Sequence, residues 1–207
     1  DVLGGQKTGF FTDQREKRVN LQKYCRPLAD GARLANVFSY TGAFGVYAAV
    51  CNPLLTTINV DTSGSALELA RRNYELNGIS PAQHQFVEED AFDWLSNAHE
   101  EGSQFDIVVL DPPAFAKGNK EKPRALKAYV RMNSAGISVT RPGGILVVCS
   151  CTGAVSLAEF EECLREAAAS SRRPVQILET FRNSLDHPVN CAAPESFYLK
   201  VLFCRVL

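Results

Sequence analysis

The stretch QFDIVVLDPPAF, residues 104–115, decides the fold. Gln104 to Leu110 reads as a strand that is apolar on both faces, and such a strand belongs in the middle of a parallel sheet with helices above and below. It runs into Asp111-Pro112-Pro113, where neither proline can donate a ladder hydrogen bond, so the strand stops there. The fixed φ of the two prolines makes a stiff lip, with Phe115 beside it, against which a flat ring can stack.

Outward from this strand, short β-rich runs alternate with helical patterns, the signature of a parallel sheet flanked by helices. Upstream, the spacing predicts strands over Arg33–Phe38, Thr56–Val60 and His84–Val87. Helices are expected through Phe44 to Val50, over Ala66–Asn77 and over Ala91–Ala98, with Ser63 or Ser65 capping the second and Gly78 stopping it. Downstream come a lysine-rich loop over Lys117–Pro123, a helix over Arg124–Thr140, a turn at Arg141-Pro-Gly-Gly144, a strand over Ile145–Ser150 and a helix over Leu157–Ser170. Val175–Glu179 and Phe197–Arg205 read as two antiparallel strands joined by a long loop. The expectation is an α/β fold with a seven-stranded, mostly parallel sheet, an antiparallel C-terminal hairpin and helices on both faces. Residues 1–32 read as a lead-in segment packed on a catalytic domain of residues 33–207.

Composition sets the bounds. With 207 residues, 45% hydrophobic and 22% charged, the chain has the profile of one soluble globular domain. It has no apolar run of membrane-spanning length and no leader resembling a signal peptide. It begins at Asp1 rather than Met, as a piece of a longer protein would. The seven cysteines are scattered without CxxC spacing, which argues against a disulfide framework and a structural zinc site. No metal is expected, and a reducing, cytoplasmic compartment fits. The net charge of −1 gives no global push toward nucleic acid. Basic residues nevertheless cluster between Lys7 and Arg33 and between Lys117 and Arg131, while Glu88–Asp106 is acidic. One basic face could meet a polyanion; the plainer reading of such runs is a solvated surface.

The conspicuous polar residues all fall at the carboxyl ends of predicted strands, where open α/β sheets bind ligands. Phe38-Ser-Tyr-Thr-Gly-Ala-Phe-Gly45 forms the first strand–helix turn, bracketed by Gly42 and Gly45. Asp61 ends the second strand and can accept from two ribose hydroxyls; Asp90, before Ala91, can accept from an adenine amino group. The turn is not GxGxxG, and two carboxylates without a phosphate cradle suit S-adenosylmethionine better than a nucleotide carrying phosphates. Each signal has a plain counterpart, since a helix-start Asp is usually an N-cap.

Ile145 to Val148 run straight into Cys149-Ser150-Cys151. A cysteine at a strand end is commonly packing. Cys149 reads that way, whereas Cys151 lies beyond the apolar run and would share a crevice with Asp111. A thiolate there could add to carbon 6 of a cytosine and make carbon 5 nucleophilic, while a carboxylic acid on the N3 side neutralises ring charge. A nitrogen or oxygen methyltransferase needs no such cysteine. His187, alone before a proline, reads as structural more readily than as a general base.

These residues resemble the RlmI-like bacterial 23S ribosomal RNA cytosine-5 methyltransferases, whose domain is a Rossmann-like class I methyltransferase. The resemblance rests on Lys7-Thr-Gly-Phe-Phe-Thr-Asp-Gln-Arg15, Asn36-Val-Phe-Ser-Tyr-Thr-Gly-Ala-Phe44, Val60-Asp-Thr-Ser63, Leu110-Asp-Pro-Pro113, Ser150-Cys-Thr-Gly153, Asp186-His-Pro188 and Phe197-Tyr-Leu-Lys200. It implies Cys151 as nucleophile and Asp111 beside the base. It implies S-adenosylmethionine, with S-adenosylhomocysteine as product, held by Gln14, Arg15, Phe38, Ser39, Tyr40, Thr41, Gly42, Ala43, Phe44, Gly45, Asp61, Thr62, Ser63, Asp90, Ala91, Asp111 and Pro112. The partner it implies is 23S ribosomal RNA, the target base leaving its stack to reach the thiol; a second copy of the chain is a further candidate partner. Two departures stand out: the family's N-terminal RNA-binding and linking domains are absent, and Thr152 stands where Ser is commoner. The alternatives are guanine-N7 or uracil-C5 methylation of RNA, or a cofactor-binding domain inactive without the missing domains.

Overall fold

The computed structural model describes residues 9–193 and 196–207, so Lys7 and Thr8 of the lead-in motif lie outside the described residues. The strands are β1 (Arg33–Val37), β2 (Thr56–Asp61), β3 (Gln85–Glu88), β4 (Phe105–Leu110), β5 (Thr140–Ser150), β6 (Val175–Phe181) and β7 (Lys200–Val206). The helices are α1 (Arg15–Cys25), α2 (Ala43–Cys51), α3 (Gly64–Leu76), α4 (Ala91–Glu100), α5 (Lys122–Val139) and α6 (Leu157–Ser170). They build one sheet in the order β3-β2-β1-β4-β5-β7-β6. The first five strands pair in parallel, and β7 runs antiparallel between β5 and β6. From β1 the chain works outward through β2 and β3, then returns to β4 on the other side. That reversal opens a crevice at the carboxyl ends of β1 and β4.

All six residues of β4 are buried, as the opening stretch requires. Side chains alternate across the sheet. Ile107 and Val109 join Leu21, Cys25, Phe44, Val147 and Phe203 in the core under α1 and α2. Val108 and Leu110 join Leu95, Tyr129, Met132, Phe160 and Leu164 under α4, α5 and α6. No helix among the described residues is long and apolar enough to cross a membrane.

The expected turn at Arg141-Pro-Gly-Gly144 lies inside β5. Phe105 pairs with Thr140 and Ile107 with Ile145, so residues 141–144 bulge opposite the single residue Asp106. Gly143 takes φ 78°, and the Asp106 carboxylate holds the bulge through Arg141 while accepting from the Arg33 amide at 2.8 Å. Helix α5 starts at Lys122, two residues before the expected Arg124, because Pro123 fits a first helical turn, where no amide donor is needed.

Helix α5 crosses β4 and β5 at Gly136. A Cβ there would stand 2.6 Å from Leu110 Cδ1 and 3.0 Å from Leu146 Cδ1. Gly136→Val should cost about 1–3 kcal/mol by overpacking, with little helix-propensity gain to offset it. Thermal unfolding followed by circular dichroism should show a midpoint lower by several degrees. Gly118→Ala, which meets open space, should leave it unchanged. Equal midpoints for all three chains would show that α5 does not need this close approach.

Candidate active site

The turn after β1 is held in a conformation that L-residues rarely adopt. Phe38, Tyr40 and Gly42 have φ of 59°, 47° and 73°. Non-glycine residues in this region are strained by about 1–3 kcal/mol each, and such strain persists only where surrounding bonds enforce it. Here Ser39 N donates to Val60 O at 2.9 Å, Gly42 N to Ser39 O at 2.9 Å, and Asn73 Nδ2 to Thr41 O at 2.9 Å. Asp61 completes the brace: its Oδ2 accepts from Tyr40 N at 2.8 Å and its Oδ1 from Ser63 N at 3.0 Å. Each carboxylate oxygen has capacity for a further hydrogen bond.

Asp90 caps α4, accepting from Phe92 N at 2.8 Å and Asp93 N at 3.3 Å. Ala91 is buried core. Beside them, Phe92 meets Phe38 edge-on with centroids 6.3 Å apart and Phe115 at 6.4 Å, and Phe115 packs on Tyr129 at 4.8 Å. An aromatic wall thus runs from the β1 turn to the proline lip, and Phe115 is part of it.

At the end of β4, Asp111 Oδ1 accepts from Gln14 Nε2 at 2.9 Å. Burial raises the Asp111 carboxyl to about 6, against the pull of the Arg18 guanidinium. Arg18 is itself buried between Phe10 and Phe44 and donates to the Phe11 carbonyl. Gln14 Oε1, Ser39 Oγ, and Nε and Nη1 of Arg18 are buried without a hydrogen-bond partner among the described residues. Orphaned donors and acceptors of both kinds fit the charged amino-acid end of S-adenosylmethionine, as Asp61 fits its ribose.

The two cysteines on this face of β5 differ in depth. Cys149 is fully buried, and burial together with the Asp111 charge pushes its thiol well up. Cys151 is half-buried at the strand mouth, its Sγ 3.7 Å from the Pro112 carbonyl oxygen. The Asp111 carboxyl meets Gln14 and Cys149, while Cys151 faces the backbone of the proline lip one residue on.

The other expected cofactor residues differ in their surroundings. Arg15 points outward and pairs with Asp186 at 3.3 Å, and Thr62 is exposed. Ser63 caps α3, its Oγ accepting from Ala66 N at 3.2 Å and sharing a hydrogen bond with Ser65 Oγ at 3.1 Å. Gly45 faces the core: a Cβ there would stand 2.1 Å from Tyr74 Oη and 2.6 Å from Asn59 Oδ1. Ala43 opens α2, and Pro112 is buried with its carbonyl toward Cys151. His187 is exposed in a loop, its amide bonded to Ser184 O at 2.8 Å. Arg18 and Phe92 were not singled out by sequence reasoning. The i, i+4 spacing of Gln14 and Arg18, continued by Leu21 and Cys25, carries the signal for the first.

A mostly parallel sheet with this strand order and an antiparallel C-terminal pair, a strained turn after β1 and carboxylates closing β2 and β4 match the class I methyltransferases. The chain belongs to the S-adenosylmethionine-dependent methyltransferase family, whose family model matches residues 1–203. It is 40% identical over all 207 residues to the ribosomal RNA large subunit methyltransferase I of Yersinia pestis and of Yersinia pseudotuberculosis. It spans about half, 51%, of the length of these relatives. Among solved structures, SMU.776 complexed with SAH superposes with a TM-score of 0.82 at 29% identity, over 96% of this chain and 50% of that one. A Streptococcus mutans protein described as a SAM-dependent methyltransferase gives 0.83 at 27%, over 98% and 51%. S-adenosylmethionine is the cofactor.

Loss of the Asp61 brace and its free lone pairs should weaken S-adenosylhomocysteine binding. For Asp61→Ala the expected loss is about 10- to 100-fold in Kd, the worth of one or two charge-assisted hydrogen bonds. Arg15→Ala should bind as the unaltered chain does. Titration calorimetry checks both, and equal Kd for Asp61→Ala would remove Asp61 from the cofactor site.

Proposed function

We propose that this domain methylates carbon 5 of a cytosine in ribosomal RNA through a covalent adduct on Cys151. The observation that carries the reading is the position of that thiol, half-buried at the end of β5 against the Asp111-Pro112-Pro113 lip, while Cys149 is sealed below it. The name of the Yersinia relatives supports the RNA class. A ribosomal RNA substrate also supports a cytoplasmic location.

The residues present supply the parts. Phe38, Ser39, Asp61, Gln14 and Arg18 would hold the cofactor. The Cys151 thiolate forms a bond to carbon 6 of the ring, and the π pair it displaces makes carbon 5 nucleophilic. S-adenosylmethionine, when bound, would supply the electrophilic methyl group for that carbon, with S-adenosylhomocysteine as the product. A base then takes the proton from carbon 5, the C–H pair restores the ring double bond, and the sulfur–carbon bond breaks to return the thiolate. Asp111, raised to about 6 by burial, can carry a proton toward the N3 side of the ring. Ionisation removes that proton as pH rises, whereas the thiolate is gained as pH rises, so the two groups give opposite limbs of the rate profile.

The two basic clusters differ. Those of the lead-in are largely spent internally: Lys17 and Arg18 are buried, Arg15 pairs with Asp186, Lys23 with Glu179, and Arg33 lies over Phe105. Lys117, Lys120, Arg124, Lys127 and Arg131 are exposed, and this face supports backbone contact with RNA.

RNA containing 5-fluorocytosine should trap the adduct, because fluorine cannot leave as a proton. Mass spectrometry should find the adduct on Cys151 and lose it in Cys151→Ala; an undiminished adduct in that variant would move the nucleophile elsewhere. Asp111→Asn should slow adduct formation by about 10²-fold and flatten the high-pH limb, as expected for loss of an acid catalyst. A triple change of Lys117, Lys120 and Lys127 to Ala should weaken RNA binding and lower its salt slope by about 2–3. Unchanged slopes would place the RNA on another face.

A further inference from the structure

We infer that His84 is a positioning residue for the cofactor: its bare Nδ1 ends a buried chain of hydrogen bonds that supports the turn after β1. This rests on the reading of that turn as part of the cofactor site. His84 is 8% exposed and stands just ahead of β3, at the amino end of the parallel strands, whereas the crevice lies at their carboxyl ends. The Thr57 amide of β2 donates to His84 Nδ1 at 3.1 Å, so that nitrogen carries no proton and Nε2 holds the one that the neutral ring keeps. The Thr57 hydroxyl, 3.0 Å from the same lone pair, therefore donates to it as well. Its proton is spent there, so Tyr74 Oη donates to Thr57 Oγ1 at 2.6 Å. Tyr74 Oη in turn accepts from Asn59 Nδ2 at 3.0 Å, and Asn59 Oδ1 accepts from Asn36 Nδ2 at 2.9 Å. These donors run in one direction from β1 to His84, and the bare nitrogen sets that direction.

The other end of the chain lies against the cofactor turn. Asn36 precedes Phe38 by two residues on β1. A Cβ on Gly45 would stand 2.1 Å from Tyr74 Oη and 2.6 Å from Asn59 Oδ1, and one on Gly42 would stand 3.4 Å from Tyr74 Cε2. Asn73, next to Tyr74 on α3, donates to Thr41 O at 2.9 Å. The turn is strained at Phe38 and Tyr40 and so depends on what braces it. Asp61 braces the Tyr40 amide, while Tyr74 and Asn59 fill the buried space against the two glycines.

A second proton on the His84 ring has to go to Nδ1. It would set the Thr57 amide against a donor and turn the Thr57 hydroxyl round. The Tyr74 proton would be driven toward Asn59 Oδ1, which lies 3.5 Å away and already serves Asn36. Burial acts in the same sense and holds His84 below its ordinary value. On the α3 side, Tyr74 packs on the ring with centroids 4.8 Å apart and is neutral, pushed up to about 12 by burial. The groove onto which His84 opens is lined by Glu68, Arg71, Arg72 and Glu75, charges of both signs, with Arg71 paired to Glu68 at 3.4 Å. From β2 come the uncharged Thr57 and Asn59. The chain of bonds is complete while His84 is neutral and is lost as pH falls through its lowered value, and cofactor affinity follows with the same sign.

Calorimetric titration of the 207-residue chain with S-adenosylhomocysteine between pH 7 and pH 5 tests this, at temperatures where circular dichroism shows the chain folded. His84→Asn places a carbonyl oxygen where Nδ1 stands, an acceptor that takes up no proton in this range. The unaltered chain should lose about tenfold more affinity than His84→Asn on acidification, the change expected if the cofactor moves the His84 midpoint by about one pH unit. Asp111 titrates in both chains and drops out of the comparison. Parallel affinity profiles would overturn the inference, and so would a difference confined to the thermal midpoint, which a structural role alone produces. If His84→Asn does not fold, nitrogen-15 NMR of the unaltered chain decides. His84 should carry its proton on Nε2, and its midpoint should fall when S-adenosylhomocysteine is added; a proton on Nδ1 or an unmoved midpoint would overturn the inference. The reading of the turn fails separately, by undiminished affinity in Asp61→Ala.

Discussion

The parallel pairing of β4 with β5 is the constraint on which the site depends. Leu110 pairs with Val148, so the residues beyond run abreast: Asp111 beside Cys149, and the proline lip beside Ser150 and Cys151. The observed contacts follow this register, with the Asp111 carboxyl against Cys149 and the Pro112 carbonyl against the Cys151 sulfur. Because side chains alternate, a slip of one residue would turn Ser150 or Thr152 toward the crevice and bury the sulfur on the other face. The two prolines make such a slip costly, since they end the ladder at a fixed point.

Around that pairing the molecule spends polar groups in places where apolar ones would pack more easily. Gln14, just ahead of α1, and Arg18 within it bring amide and guanidinium groups onto a face that is otherwise Leu21, Cys25 and Phe44. Phe38 and Tyr40 are kept left-handed by Asp61 and its neighbours. Strain and orphaned polar atoms therefore converge on the carboxyl ends of β1 and β4, where two halves of the sheet diverge. The cores above and below are ordinary by comparison.

The sheet was legible because its strands carry the pattern in single runs. β4 and the Ile145–Cys149 part of β5 are buried apolar runs, and the bounds of α6 agree with the expectation to the residue. Arg141-Pro-Gly-Gly144 has turn composition and was misplaced because its partner, Asp106, lies on another strand and only pairing reveals the bulge. Arg15 and Arg18 are indistinguishable by residue type; the helical phase sends one to solvent and the other to Asp111. The basic lead-in looked like a polyanion surface because its partners, Asp186, Glu179 and Phe105, are distant in sequence.

Contacts between distant parts of the chain pack the last strands against the lead-in. Tyr198 donates to Asp13 at 2.7 Å across 185 positions, and Lys17 donates to Ser184 at 3.0 Å across 167. Contacts of such separation form only after the intervening chain has closed its loop, which makes them late and slow steps. A growing chain can condense β1 to β4 while still tethered at its synthesis site. The contacts of Tyr198 and Ser184 with the lead-in wait for the final strands, so the parallel half of the sheet can be assembled well before the crevice beside it is complete.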